Sequence, residues 1–325
     1  MNKVLFKLYF IICFCCVHAG ILSAADLRFG ANGKFKIIQI TDTHIIADSE
    51  HSKETIEMLH QVLDAEKPDL VIFTGDIVTG KPYKAGFDLV IEPVISRKIP
   101  WALVFGNHDD EQDMTRRELA AYIQSYQFNT GQMKAVKNVS GYGNYVLEVK
   151  DSDGKKVKAI LYGMDSNAYS TMKPMVDGYG WFAFDQVEWY RKQSSKYTLG
   201  NRGTPLPALA FFHIPLPEYH AVTDQKIIGA KLEDICSPEV NSGLFLAMLE
   251  KGDVMGTFVG HDHVNDYIFN HYGIALAYGR FSGSKNTYTG LKNGVRVIEL
   301  TEGQRNFDTW IRLDDEIVIN KVLFE

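Results

Sequence analysis

Cysteine is scarce in this chain of 325 residues: there are four, and Cys13, Cys15 and Cys16 all lie close to the amino terminus. If that segment is removed, Cys236 stands alone, which excludes an internal disulfide framework and leaves stability to apolar burial. Other absences narrow the function. No heptad run, low-complexity tract or glycine-rich nucleotide loop occurs, and Gly75-Asp76 lacks the Lys-Ser/Thr of a P-loop. A basic excess is missing too, since the formal net charge is −6. That acidic balance disfavours nonspecific polyanion binding, so nucleic acid is not an expected partner.

Long apolar runs are confined to the amino terminus, where Lys3 and Lys7 precede an apolar stretch over residues 8–22 and the small residues Ser23, Ala24 and Ala25. This is the three-part plan of a secretory signal peptide. The expected organisation is a signal peptide over residues 1–25 and a single catalytic domain over 26–325, exported to the periplasm or the medium. An uncleaved anchor is disfavoured because His18 and Gly20 interrupt a stretch already short for a span of roughly 20 residues. No cysteine there follows a small residue, as lipid attachment requires. No stable membrane span is expected after cleavage, and loss of Lys3 and Lys7 takes the charge from −6 to −8. A hydrophobic content of 46% suffices for a sizeable core.

What the chain does have is a series of short apolar runs, each ending in a polar cluster. Residues 35–40, 70–73, 101–105, 209–212 and 257–259 have the length and β-branched or aromatic content of buried strands. They lead into Asp42-x-His44, Gly75-Asp76, Gly106-Asn107-His108-Asp109, His213 and Gly260-His261-Asp262-His263. Carboxyl ends of strands are where open α/β sheets bind ligands, so five strands can build one site. Any one of these residues alone is better read as a turn former or a satisfied core histidine. Jointly they are not, because carboxylate, imidazole and amide oxygen together form the donor set of hard or borderline divalent metals.

Asp42 and His44 are two apart, so on a strand they share a face and can grip one ion, and His261 and His263 repeat that spacing. Asp76, after a glycine at a strand end, is the candidate bridge between two ions about 3.5–4 Å apart.

The order D-x-H, GD, GNHD, H, G-H-x-H resembles the calcineurin-like metallophosphoesterase superfamily, which includes the purple acid phosphatases, and the likeness runs from about Phe35 to Arg280. The resemblance implies a first metal held by Asp42, His44, Asp76 and His263 and a second by Asp76, Asn107, His213 and His261. It implies hydrolysis of a small-molecule phosphate ester by metal-activated water. A phosphomonoesterase is the expected activity; a phosphodiesterase on the same scaffold and a metal-dependent binding protein without turnover are the alternatives. Purple enzymes carry a tyrosine ligand to ferric iron three residues after the bridging aspartate, where this chain has Thr79. The ions expected are therefore a divalent pair drawn from Mn, Zn, Fe or Mg.

His108 is the candidate general acid, a role worth about 10²- to 10⁴-fold in rate. Asp109 either orients its ring or caps the following turn. Asn107, His108 and Arg280 are candidate substrate contacts, with a structural ion pair the competing role for Arg280. The glycine-rich, aromatic stretch 163–189 either lines the cleft or packs.

Periodicity predicts helices over residues 52–65, 114–126 and from about Asp185, and a hairpin joining Tyr145 through Asp151 and Gly154 to Lys158. A βαβ opening followed by hairpins predicts an α/β (α+β) fold of two packed mixed sheets flanked by helices. This agrees with the four-layer α/β/β/α sandwich that the resemblance implies.

Overall fold

The apolar runs that end at the polar clusters form strands β1 (Lys34–Ile40), β2 (Leu70–Thr74), β3 (Trp101–Val104), β6 (Ala208–Phe211) and β7 (Val254–Val259). The computed structural model describes residues 26–223 and 226–325; the expected signal peptide, residues 1–25, lies outside the described residues. Two six-stranded mixed sheets are present. The first runs β12 (Val318–Phe324), β11 (Phe307–Arg312), β10 (Val295–Thr301), β1, β2, β3. The second runs β4 (Tyr145–Lys150), β5 (Val157–Gly163), β6, β7, β9 (Ile274–Tyr278), β8 (Ile268–His271). Within them β1, β2 and β3 are parallel, as are β5, β6, β7 and β9, so the clusters emerge from strand ends of common direction.

Alternation along the strands builds a layer on each face of the second sheet. Leu161, Leu209 and Ala275 turn toward the first sheet and share a core with Ile37, Val71 and Leu103. Their neighbours Tyr162, Ala210 and Leu276 turn outward to Trp189 and Tyr190 of α4 (Phe184–Gly200) and Met248 of α5 (Leu244–Lys251). Helices α1 (Glu50–Glu66), α2 (Tyr83–Ile95) and α3 (Arg116–Gln124) belong to the other side. The fold is the expected four-layer sandwich of two mixed sheets flanked by helices.

Local chemistry sets the helix ends. Ser49 caps α1 by accepting from His51 N–H, and the helix stops at left-handed Lys67 before Pro68. Buried Thr55, Leu59, Val62 and Leu63 form its inward stripe. Glu66 ties its end to β11 and β1, accepting from Trp310 Nε1 at 2.9 Å, Arg312 Nε at 2.7 Å and Lys36 Nζ at 3.0 Å. Thr115 and Glu118 form a capping box at α3. Helix α2 was not anticipated, because its sequence carries Gly86 and Pro93 and reads as a broken apolar run. Among the described residues no helix is long and apolar enough to cross a membrane.

Candidate metal centre

Asp42, His44, Asp76, Asn107, His213, His261 and His263 all lie just past the carboxyl ends of β1, β2, β3, β6 and β7, and all are buried. Two ligand groups form. Asp42, His44 and His263 bring one donor atom each to within 4.8 Å of one another, and Asp76, His213 and His261 do the same. Asp76 Oδ2 is 3.1 Å from His213 Nε2 and 4.0 Å from His44 Nε2, so one oxygen faces both groups.

The backbone there is not strand. β1 ends at Ile40, and Asp42, His44, Asp76 and His261 have φ of 54°, 43°, 53° and 80°. Such left-handed residues cost of order 1–3 kcal/mol each and persist where surrounding structure imposes them. This corrects the strand-face reading. Asp42 and His44 do serve one group, but through a tight loop, and His261 and His263 do not repeat the pattern, since each joins a different group. Glycines allow the packing: a Cβ at Gly75, itself at φ 89°, would sit 2.6 Å from His213 Nδ1.

Neighbouring carbonyls select the imidazole tautomers. His213 Nδ1 donates to the Thr74 carbonyl at 2.7 Å and His263 Nδ1 to the Tyr288 carbonyl at 3.1 Å. In the neutral ring this leaves each Nε2 with its lone pair aimed inward, the outer hydrogen bond that metal-ligating histidines usually make. His263 Nε2 faces His44 Nε2 at 3.1 Å, and His213 Nε2 faces His261 Nδ1 at 3.3 Å. Two further buried atoms, Asn107 Oδ1 and His261 Nε2, have no hydrogen-bond partner. Orphaned buried polar atoms are costly, and converging lone pairs repel unless a cation lies among them. The donor chemistry fits a pair of divalent ions.

Electrostatics favour the neutral, ligating form at three of the four rings. Burial pushes His44 down to about 3 and His263 to about 4, and pushes His261 well below the usual imidazole range, so these rings are neutral and ready to ligate. For His213, burial opposes the charge, but the Asp76 carboxylate outweighs it and holds the ring up at about 10. Burial likewise opposes ionisation of Asp76, yet His213 holds that carboxyl well below its ordinary value; burial raises Asp42.

His108 is half-buried beside the cluster, its ring centroid 5.9 Å from that of His44. Burial lowers its affinity for a proton, but Asp76 and Glu111 more than restore it, and its pKa is raised. Asp109 does not orient the ring. Its carboxylate accepts from the backbone N–H of Gly106 at 2.8 Å, Ile77 at 2.9 Å and Asp76 at 3.0 Å, tying the β2 and β3 loops together. Glu111 takes the expected place of Asp109, with Oε2 2.5 Å from His108 Nδ1.

Arg280 is not brought into the cluster. It is 4% exposed, pairs with Asp266 through Nη1 at 2.6 Å and donates from Nε to the Lys292 carbonyl. Of its two candidate roles, the structural ion pair is the one the structure displays. Arg280→Ala removes the ion-pair partner of buried Asp266, and the expected cost is about 3–5 kcal/mol of stability, read as a lowered denaturation midpoint, with KM for substrate unchanged.

Three aromatic side chains meet these residues, two from the stretch 163–189 and a third, Tyr288, that sequence reasoning missed. Tyr169 accepts from Asn107 Nδ2 at 3.2 Å; Tyr179 meets the His261 ring edge-on with centroids 4.4 Å apart; Tyr288 stacks on His263 at 4.2 Å. The aromatic stretch does reach the site, through Tyr169 and Tyr179. Glu111 follows His108 by three residues, but no periodicity marks a loop contact, so only the acidic run after the GNHD block could have drawn attention to it.

The calcineurin-like phosphoesterase family model matches residues 35–265. The probable inactive purple acid phosphatase 14 of Arabidopsis thaliana is 31% identical, the alignment covering 95% of this chain and 88% of that one. The phosphatase DCR2 of Saccharomyces cerevisiae is 34% identical over 90% of this chain, which spans 56% of the yeast protein. A dimetal phosphatase from Danio rerio shares the fold, with a TM-score of 0.63 at 13% identity, covering 89% of this chain and 98% of that one.

Proposed function

The chain belongs to the calcineurin-like phosphoesterase family, and on that premise we propose that it hydrolyses phosphate esters, monoesters in preference to diesters, with two divalent ions at this centre. The observation carrying the proposal is the place of Asp76, whose single oxygen faces both ligand groups while Asn107 Oδ1 and His261 Nε2 stand without protein partners. Asp42, His44 and His263 would hold one ion, His213, His261 and Asn107 the other, and Asp76 both. Ions held there supply Lewis acidity toward phosphoryl oxygens and bring the pKa of water from 15.7 to about 7.

The protein's own residues do the rest. The Thr74 and Tyr288 carbonyls keep His213 and His263 in the ligating tautomer. Thr41 Oγ1 and His261 N–H donate to Asp42, holding its carboxylate in place. His108, with Nδ1 on Glu111, has Nε2 free to carry a proton. As water oxygen bonds to phosphorus, the ester P–O bond breaks, its electron pair stays on the departing oxygen, and that oxygen takes the Nε2 proton; one water proton stays on the phosphate and the other is released to solvent, from which His108 is reprotonated.

The test is His108→Ala. Turnover of an alkyl phosphate is expected to fall about 10²- to 10⁴-fold while metal content stays at the parent level. Loss of an ion instead would make His108 a ligand. A second reading, binding without turnover, is favoured by the word inactive in the names of the Arabidopsis relatives. Against it stands the His108 and Glu111 pair, which a site that only binds does not need. We also infer export, supported by the plan of residues 1–25.

A further inference from the structure

Glu111 holds two partners at once. Oε2 is 2.5 Å from His108 Nδ1, and Oε1 accepts from Tyr169 OH at 2.8 Å. The same Tyr169 oxygen accepts from Asn107 Nδ2 at 3.2 Å, leaving Asn107 Oδ1 buried without a hydrogen-bond partner. Asn107 and His108 are chain neighbours, so the contacts close a ring: His108, Glu111, Tyr169, Asn107 and back. Tyr169 is anchored in turn, stacked on Tyr179 with centroids 5.9 Å apart, and Tyr179 abuts His261. The Tyr169 hydroxyl thereby joins the Asp165–Arg116 ion pair in fastening segment 164–183, between β5 and α4, to the chain that follows β3.

This arrangement is poorly explained by stability. Glu111 and His108 are 41% and 39% exposed, and ion pairs so solvated are worth about 0–1 kcal/mol. It is well explained by proton delivery. A carboxylate on Nδ1 keeps Nδ1–H in place and fixes one ring orientation, so the proton that the doubly protonated ring gives up is the one on Nε2, the nitrogen Glu111 does not engage. Two anchors on the carboxylate, one per oxygen, remove its rotational freedom, and that preorganisation acts only where a proton has to be placed.

We propose that Glu111 is the positioning residue of the general acid His108, and that Tyr169 locks Glu111 and Asn107 into one unit, coupling ligand geometry to proton delivery. The proposal rests on the phosphoesterase reading for its kinetic consequence but not for the His108 tautomer. Glu111 contacts no residue assigned to an ion, and Tyr169→Phe removes only the hydroxyl that accepts from Asn107 Nδ2, leaving Asn107 Oδ1 in place, so both ions are expected to stay bound.

The experiment compares Glu111→Ala, Glu111→Asp and Tyr169→Phe with the parent on two monoesters, nitrophenyl phosphate and an alkyl phosphate, with metal content measured on each protein. A nitrophenolate leaves without a proton; an alkoxide does not. Glu111→Ala is expected to lower kcat on the alkyl ester about 10- to 100-fold and on the nitrophenyl ester less than about threefold. Glu111→Asp is expected to recover part of that loss, and Tyr169→Phe to show the same selectivity more weakly. Equal losses on both esters, no loss on either, or a lost ion would overturn the proposal. The imidazole ¹⁵N spectrum of His108 gives a readout besides turnover: Nδ1–H is expected to dominate in the parent and to lose that dominance in Glu111→Ala. If the parent turns over neither ester with any metal, the phosphoesterase reading fails by itself. The positioning claim is then decided by the spectrum, and identical His108 signals in both proteins would overturn it.

Discussion

Asp76→Asn lowers phosphoester turnover by about 10³-fold or more and costs the protein at least one bound ion. Removing one preorganised group that stabilises developing charge typically costs about 10²- to 10³-fold. Here the lost charge sits between both ligand groups, with Oδ2 3.1 Å from His213 Nε2 and 4.0 Å from His44 Nε2. Asparagine keeps the shape and the Oδ1 that accepts from His108 N–H at 2.8 Å, so the fold is expected to survive. Steady-state kinetics, metal analysis and circular dichroism on one preparation check all three parts. Turnover near the parent level in this variant would refute Asp76 as the bridge.

Gly106→Ala is expected to do nearly as much damage without touching a ligand. A Cβ there would sit 2.5 Å from Asp76 N and 2.8 Å from Asp76 Cγ. The loop has no easy way to yield: Gly106 N–H donates to Asp109 at 2.8 Å, and its carbonyl accepts from Arg116 Nη2 at 2.6 Å. The Asp76 carboxylate is therefore the part that moves. Displacement of such a group by about 1 Å can cost 10²-fold in rate, and overpacking of this kind costs about 1–3 kcal/mol. Gly200→Ala is the control, since nothing lies within 4 Å of a Cβ at Gly200, and it should retain parent activity. Comparable losses at the two glycines would show that the effect at Gly106 is not steric.

The layers and the location of the site were legible because they rest on local patterns. Apolar runs such as Leu70–Thr74 are strands long enough to cross one sheet, and the polar residues after them have only the strand end to occupy. Helix α1 showed its inward stripe and its stop before Pro68. What escaped was set by contacts distant in sequence or by backbone conformations that residue type does not announce. Left-handed Asp42, His44, Asp76 and His261 defeat any argument from strand alternation, and only neighbouring Gly75, Gly106 and Gly260 hinted at crowding. Tyr169 and Glu111 meet across 58 residues. Arg280 was singled out for the planar guanidinium that suits phosphate, a property that equally suits Asp266. Strands β10, β11 and β12, which extend the first sheet from β1 as successive antiparallel neighbours, lie beyond the last polar cluster and carried no chemical signal.

Hydrolysis of matched chromogenic phosphate monoester and diester, after chelation and then after adding back Mn, Zn, Fe or Mg singly, tests the central claim most directly, with bound metal counted in the same samples. The account predicts that chelation abolishes turnover, that add-back restores it with two ions per chain, and that the monoester is the faster substrate. Two ions bound with no hydrolysis of either ester, or turnover indifferent to chelation, would contradict it.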